Sequence, residues 1–147
     1  MIGIIDYGIG NVRAFVNAFA RMDVVAQPVS SPSEVENANK LILPGVGAFD
    51  HAMEALNLSG MRDTLDKRVM CDHVPILGVC VGMQMMALES EEGISTGLGW
   101  IEANVVKLNT VDNLPLPHMG WNSIELQKST SLFQNFEDNP YFYFLHS

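Results

Sequence analysis

Positive charge is scarce in this sequence, which has eight Lys and Arg residues against seventeen Asp and Glu residues and a formal net charge of -9. A surface of that sign repels phosphate backbones and anionic lipid headgroups over most directions of approach. We therefore expect the protein to have no nucleic-acid partner and no electrostatic attachment to a membrane.

Long apolar runs are also missing. No stretch reaches the roughly 20 apolar residues that span a bilayer, and residues 1–6 lack a basic region leading into such a run. The two cysteines, Cys71 and Cys80, are too few for a disulfide framework, and no Cys/His group has the spacing of metal ligands. We expect a cytoplasmic protein in a reducing compartment, with no metal and no cofactor.

What the sequence does contain is enough apolar material for a packed core. Hydrophobic residues make up 48% of the chain and charged residues 17%, and a chain of this size buries roughly 68–70% of its surface on folding. No repeat, low-complexity tract or linker-like change of composition divides it. We expect residues 1–147 to form a single domain.

Apolar runs and helical periodicities alternate along the first part of the chain. An apolar run in residues 1–6 is followed by Asn11, a residue suited to cap a helix, and then by an apolar stripe at helical spacing. Further predicted strands are residues 24–27, 40–43 and 74–77, and further predicted helices are residues 33–38, 49–56, 61–69 and 83–88. Such alternation predicts an α/β fold with a doubly wound, mostly parallel sheet.

The pattern changes after residue 93. Residues 101–108, 121–126 and 141–145 are strand-like and are joined by turns rich in Pro, Gly and Asn, with little helix between them. We expect an added antiparallel part.

The most informative segment places Cys80 between Gly78 and Gly82 at a strand-to-helix turn. Glycines two residues to either side allow a sharp bend in which the thiol projects while neighbouring strands pack close. The first amides of the next helix, beginning with Val81 N–H, then favour a thiolate and a developing oxyanion. Cys80 is a candidate nucleophile, and a buried cysteine in a tight crossover remains the alternative. Cys71 has no such setting.

A second glycine-rich turn follows the strand at residues 40–43. Gly45 and Gly47 flank Val46 at the edge of the sheet where doubly wound folds bind ligands. Unusual backbone angles there would turn the Val46 amide toward a substrate carbonyl and complete an oxyanion hole, although an ordinary strand-to-helix turn is an equal reading. Residues 7–11 lack the third glycine of a dinucleotide fingerprint.

Five ordered motifs carry a resemblance that runs along the whole chain. They are Ile5-Asp6-Tyr7-Gly8-Ile9-Gly10-Asn11, Leu43-Pro44-Gly45-Val46-Gly47, Gly78-Val79-Cys80-Val81-Gly82-Met83-Gln84, Pro117-His118-Met119-Gly120-Trp121-Asn122 and Tyr143-Phe144-Leu145-His146-Ser147. With them the chain resembles the class I glutamine amidotransferases, whose core is flavodoxin-like, and more closely the glutaminase subunits of bacterial imidazole glycerol phosphate synthases.

The resemblance implies hydrolysis of L-glutamine to glutamate and ammonia. Cys80 then forms the glutamyl thioester, the Val46 and Val81 amides form the oxyanion hole, and the substrate is held by Gly45, Gly47, Gln84, His146 and Ser147. It also implies a heterodimer with a barrel-shaped synthase subunit that receives the ammonia for histidine biosynthesis. The residues that would face this subunit are Asn11, His118, Met119, Trp121, Asn122 and Tyr143.

The sequence departs from the family at one point. The family's general base is a His in a His-Pro-Glu motif, and no such triplet occurs in these 147 residues. His146 stands at the end of a predicted strand, where it could serve as a base, but the resemblance places it in the binding pocket. We expect the domain to lack its C-terminal segment and these residues alone to show little glutaminase turnover.

Three alternatives remain at this level. A related amidotransferase that feeds an amidino-sugar synthase for surface polysaccharide would use the same elbow. A noncatalytic module, flavodoxin-like or a truncated pseudoenzyme, would only dock on a partner. A Cys hydrolase acting on other amides would be labelled at its thiol without protection by glutamine.

Overall fold

The computed structural model describes residues 1–109, 115–128, 130–136 and 140–147. The chain divides into two compact units, Met1–Val106 and Lys107–Ser147. In the described parts, no helix combines the length and the apolar character needed to cross a membrane.

The first unit is built on a four-stranded parallel sheet. Its strands are β1 (Ile2–Ile5), β2 (Ala26–Val29), β3 (Lys40–Gly45) and β4 (Ile76–Cys80), in the spatial order β2-β1-β3-β4. A short parallel pair, β5 (Glu89–Ser90) and β6 (Asn104–Val105), forms a separate ladder. The helices are α1 (Val12–Ala20), α2 (Pro32–Glu36), α3 (Phe49–Leu58), α4 (Arg62–Asp66) and α5 (Val81–Gln84), and α4 continues as a π-helical turn, Lys67–Cys71.

Local sequence sets where the helices begin. The Asn11 side chain accepts the Ala14 N–H at 3.1 Å and so caps α1, as predicted. At α2, Ser31 and Glu34 form a reciprocal capping box, and Pro32 occupies the first turn, where a missing N–H costs nothing.

Alternate residues of the strands feed two cores on opposite faces of the sheet. Ile4 and Ile42 pack with Val12 of α1 on one face. Ile5 and Leu43 belong to the larger core on the other face, to which α2, α3 and α4 contribute buried side chains. Helices therefore cover both faces, and the predicted doubly wound, mostly parallel sheet is confirmed.

The second unit contains an antiparallel ladder of β7 (His118–Ser123) and β8 (Tyr141–His146), together with a 3-10 turn at Ser131–Phe133. The predicted antiparallel part is thus confirmed for these two strands. The prediction for residues 101–108 was wrong in extent and direction, because only Asn104–Val105 is a strand and it pairs in parallel with β5.

The predicted helix at residues 83–88 was also wrong in its bounds. After Gln84 the backbone groups of the next residues bond to a distant segment: Leu98 N–H donates to Met85 O, Ile101 N–H to Met86 O, and Leu88 N–H to Ala103 O. These tertiary hydrogen bonds replace the helical ones, so α5 is a single turn. The strand predicted at residues 74–77 begins two residues later, at Ile76, and continues to Cys80.

Candidate active site

Cys80 occupies the bend between β4 and α5. Its backbone angles are φ 55° and ψ -124°, a region that costs a residue with a side chain on the order of 1–3 kcal/mol. The thiol is free and exposed. The strained, outward-facing elbow predicted from the spacing of the glycines is therefore present.

The flanking glycines allow α5 to lie directly on the sheet. A methyl group on Gly82 would overlap the carbonyl oxygen of Leu43 in β3, and one on Gly78 would come within 2.5 Å of Met83 Cα. Side chains at either position would push α5 away and relax the bend at Cys80.

The strand register brings the second glycine-rich turn beside the cysteine, because Gly45 of β3 pairs with Cys80 of β4. The two glycines of this turn serve different purposes. Gly45 has no positive φ, but a methyl group on it would overlap the backbone nitrogen of Gly82, whereas Gly47 has a φ of +81° and faces open space. Only Gly47 provides the unusual backbone angle expected for both. Val46, between them, is 53% exposed.

A buried tyrosine anchors this turn. Tyr7, just after β1, donates its hydroxyl hydrogen to the carbonyl oxygen of Pro44 at 2.7 Å and lies 3.6 Å from the Met85 sulfur. Burial raises the pKa of Tyr7 to about 12, so the hydroxyl stays protonated and remains a donor. From the sequence, Tyr7 was assigned no role beyond its place in the motif of residues 5–11. The available signal was that a tyrosine beside a buried strand needs a hydrogen-bond partner.

The single turn of α5 supplies two further groups near the elbow. Val81, whose amide is the first of the helix, is buried, and the first amides of a helix have no acceptor within it. Gln84 has its side-chain oxygen buried with no hydrogen-bond partner among the described residues. A buried unpaired acceptor costs about 1–3 kcal/mol and is satisfied when a ligand donates to it.

In the second unit, the predicted pocket residue His146 is engaged with a predicted interface residue. The β7–β8 register places His118 opposite His146, and His118 Nδ1 lies 2.9 Å from His146 Nε2. One of these nitrogens must accept the hydrogen, so the two cannot both carry one. Ser147 follows β8 and is exposed.

Three of the predicted interface residues share one face of the β7–β8 ladder, since side chains alternate along a strand. Met119, Trp121 and Tyr143 are exposed there, and the Trp121 and Tyr143 rings meet edge to face at 5.8 Å. His118 and Asn122 lie on the opposite face.

The chemistry available in the first unit is nucleophilic attack by a thiol beside backbone donors. In the described parts of the chain, no three His, Cys, Asp or Glu side chains are grouped as metal ligands. Cys71, the other thiol, ends the π-helical turn and is exposed. Exposure alone therefore does not distinguish the two cysteines, whereas backbone strain and the neighbouring glycine turn do.

Comparison with known proteins identifies a family and several similar proteins. Residues 3–147 match the family model described as glutamine amidotransferase class-I. The chain is 47% identical over 150 residues to the imidazole glycerol phosphate synthase subunit HisH of Bdellovibrio bacteriovorus, covering all of this chain and 74% of that protein. It is 48% identical over 149 residues to the subunit of the same name from Methanocaldococcus jannaschii, covering all of this chain and 72% of that protein.

Among solved structures, one described as the crystal structure of a glutamine amidotransferase is similar, with a TM-score of 0.60 and 26% identity. The match covers 72% of this chain and 56% of that one, so the chain spans little more than half of the solved protein.

Proposed function

This chain belongs to the class-I glutamine amidotransferase family, and on that premise we propose that it carries the nucleophile of a glutaminase. The observation that carries the proposal is the strained, exposed Cys80 paired in register with Gly45. A structural cysteine does not require a backbone angle that costs folding energy, whereas a projecting nucleophile does.

The proposed reaction begins when the Cys80 thiolate attacks the side-chain amide carbon of L-glutamine. A sulfur–carbon bond forms, the carbon–nitrogen bond breaks, and ammonia leaves after gaining a proton. Water then hydrolyses the thioester to glutamate. The Val46 and Val81 amides would stabilise the oxyanion, and one such donor contributes about 2.7–4 kcal/mol in well-studied hydrolases.

Substrate recognition is proposed residue by residue, for the positions that match the family's motifs. Gly45 and Gly47 would shape the pocket, and the unpaired oxygen of Gln84 would accept a hydrogen bond from the substrate. His146 and Ser147 are proposed as substrate-binding residues because they match positions that hold glutamine in the family.

The proposed partner is the other subunit of an imidazole glycerol phosphate synthase, a barrel-shaped protein that would receive the ammonia for histidine biosynthesis. Support comes from the names of the relatives, which are called subunits of that synthase, and from the exposed Met119, Trp121 and Tyr143 face. Asn11, His118 and Asn122 are proposed as further residues that contact the partner in a heterodimer.

We further propose that these 147 residues by themselves turn over little glutamine, because they contain no His-Pro-Glu triplet to supply a general base. Ammonium release from L-glutamine by the isolated chain measures this directly. Steady release at many turnovers per minute would contradict it.

The function is tested by replacing Cys80 with Ala in cells that depend on the protein. Cys80→Ala should create a histidine requirement that ammonium salts relieve, because free ammonia bypasses the glutaminase. Cys71→Ala is the matched control and should grow normally. Normal growth of the Cys80 variant would support a docking module, and loss of a surface polysaccharide instead of histidine would support the amidino-sugar pathway.

A further inference from the structure

We propose that Tyr7 is a positioning residue that fixes the orientation of the Val46 amide through its hydrogen bond to Pro44. This inference rests on the proposed function, since it concerns the oxyanion hole of the same site. Tyr7 touches no reacting atom. Its hydroxyl is 2.7 Å from the Pro44 oxygen, across 37 residues of sequence.

The Val46 amide and the Pro44 carbonyl lie in neighbouring peptide planes. The Pro44 carbonyl lies in the peptide plane between the Pro44 and Gly45 Cα atoms. The Val46 N–H lies in the next plane, between the Gly45 and Val46 Cα atoms. Only the two dihedral angles of Gly45 separate these planes, and a glycine limits its own angles less than any other residue. Fixing the Pro44 carbonyl therefore removes one of the freedoms by which the Val46 amide could turn away.

Tyr7 is itself held rigidly enough to act as an anchor. Its ring is buried in the larger core, with the Met85 sulfur 3.6 Å from the hydroxyl. The turn that follows β1 also covers Pro44, since a methyl group on Gly10 would lie 2.8 Å from Pro44 Cβ. The proline ring and its carbonyl are thus both held by the segment that bears Tyr7.

A purely structural tyrosine would be expected to affect folding and nothing else. The positioning role predicts instead a selective effect on reactions that pass through an oxyanion. Two alkylating probes separate these possibilities. The thiolate first adds to the carbonyl carbon of a chloromethyl ketone analogue of glutamine, which gives an oxyanion. The sulfur then forms its bond to the methylene carbon with loss of chloride, while its bond to the carbonyl carbon breaks and the carbonyl re-forms. Iodoacetamide is attacked directly at carbon, with loss of iodide and no oxyanion.

The experiment measures the rates at which both probes label Cys80 in the full chain and in Tyr7→Phe. We expect the chloroketone rate to fall about tenfold or more, because a misdirected donor loses part of the 10²–10³-fold effect of an oxyanion-hole group, and the iodoacetamide rate to stay unchanged. Tyr141→Phe, which removes an exposed hydroxyl, should leave both rates unchanged.

A donor at the same place should restore the effect. Replacing the Tyr7 side chain by p-aminophenylalanine returns an N–H toward Pro44 and should recover most of the chloroketone rate. Should the Phe variant fail to fold, p-fluorophenylalanine supplies a second donor-free side chain that fills the space of the hydroxyl. Folding of each variant is followed by the fluorescence of Trp100.

The outcomes distinguish the two levels of the argument. Equal slowing of both probes, no slowing of either, or failure of the amino side chain to rescue would overturn the role of Tyr7 while leaving the glutaminase proposal intact. Chloroketone labelling of the unmodified chain that L-glutamine does not slow would overturn the glutaminase proposal and this inference with it.

Discussion

The two units of the molecule differ in where their apolar side chains go. In Met1–Val106, residues from β1, β2 and β3 and from α1 to α4 are buried in cores of the unit's own, and β4 packs half-buried side chains against them. In Lys107–Ser147, none of the described residues is buried, and Trp121 is 71% exposed. The first unit stabilises itself by burial, whereas the ladder of the second presents an apolar face that solvent does not favour.

The two units are therefore suited to different tasks. A nucleophile held at a strained angle needs a rigid, close-packed surrounding, and the glycine contacts around Cys80 provide it. An exposed aromatic pair is suited to recognition, because Trp and Tyr contribute most of the energy at protein interfaces. Substitutions in the first unit should therefore affect stability and chemistry, and those in the second should affect association.

Replacing one phenylalanine in each unit tests this contrast, and the larger effect is expected in the first unit. Phe49→Ala should lower the free energy of unfolding by about 3–5 kcal/mol, because the side chain is 0% exposed and leaves a cavity. Phe136→Ala, at a 51% exposed position of the second unit, should cost less than about 1 kcal/mol. Urea unfolding followed by Trp100 fluorescence in a Trp121→Phe background measures the free energy of unfolding of both variants. Similar losses for the two would contradict the difference in burial between the units.

The next effect concerns association. Trp121→Ala should weaken binding to the proposed synthase partner by about 2 kcal/mol or more, which is roughly 30-fold in the dissociation constant, and should leave the unfolding of the first unit unchanged. Leu58→Ala is the control, since Leu58 is 80% exposed in the first unit. Calorimetric titration gives both affinities. An equal loss of affinity for the two variants would contradict the proposal that the β7–β8 ladder binds the partner.

Within the first unit, two glycines separate stability from chemistry. Gly47 and Gly60 both have a positive φ and face open space, so Gly47→Ala and Gly60→Ala should each cost about 1–2 kcal/mol of stability. Only Gly47→Ala should also slow chloroketone labelling of Cys80, because it alters the turn that carries the Val46 amide. Equal rates of Cys80 labelling in the two variants would contradict this role of the Gly47 turn.

The smallest effect is a local one that depends on pH. Hydrogen bonds from the Ser95 and Ile94 amides, at 2.9 and 3.1 Å, lower the pKa of the Asp50 carboxyl. A lowered pKa in the folded state stabilises the fold above the unfolded value of about 4, and this contribution is lost as the pH falls through the folded pKa.

Asp50→Asn should therefore speed hydrogen exchange at the Ile94 and Ser95 amides at neutral pH, and acid should do the same in the unmodified chain. The Ser30 and Ser31 amides, which Glu34 holds, should not respond to the substitution. Unchanged exchange at Ile94 and Ser95 would show that their hydrogen bonds to Asp50 do not protect these amides.

Much of the fold and part of the site followed from the sequence because the signals were local. Apolar runs alternating with helical stripes predicted the parallel sheet, and the glycines around Cys80 predicted the strained bend. The length of α5 did not follow, since the distant segment containing Leu98 and Ile101 bonds to the backbone of the residues that come directly after it. A local pattern does not contain that competition.

Two side-chain contacts were unpredictable for the same reason. The Tyr7 hydrogen bond joins groups 37 residues apart, and the His118–His146 contact depends on the register of two strands that the sequence placed at residues 121–126 and 141–145. A shift of a few residues in one strand changes which side chains stand opposite each other.

The central claim is that Cys80 is the nucleophile of a glutamine site, and mapping the labelled cysteine tests it most directly. The full chain is treated with the glutamine chloroketone, with and without L-glutamine or L-asparagine, and its peptides are analysed by mass spectrometry. We predict one label, on Cys80 and not on Cys71, which is also exposed, slowed by glutamine but not by asparagine. Equal labelling of the two cysteines, or labelling that glutamine does not slow, would contradict the claim.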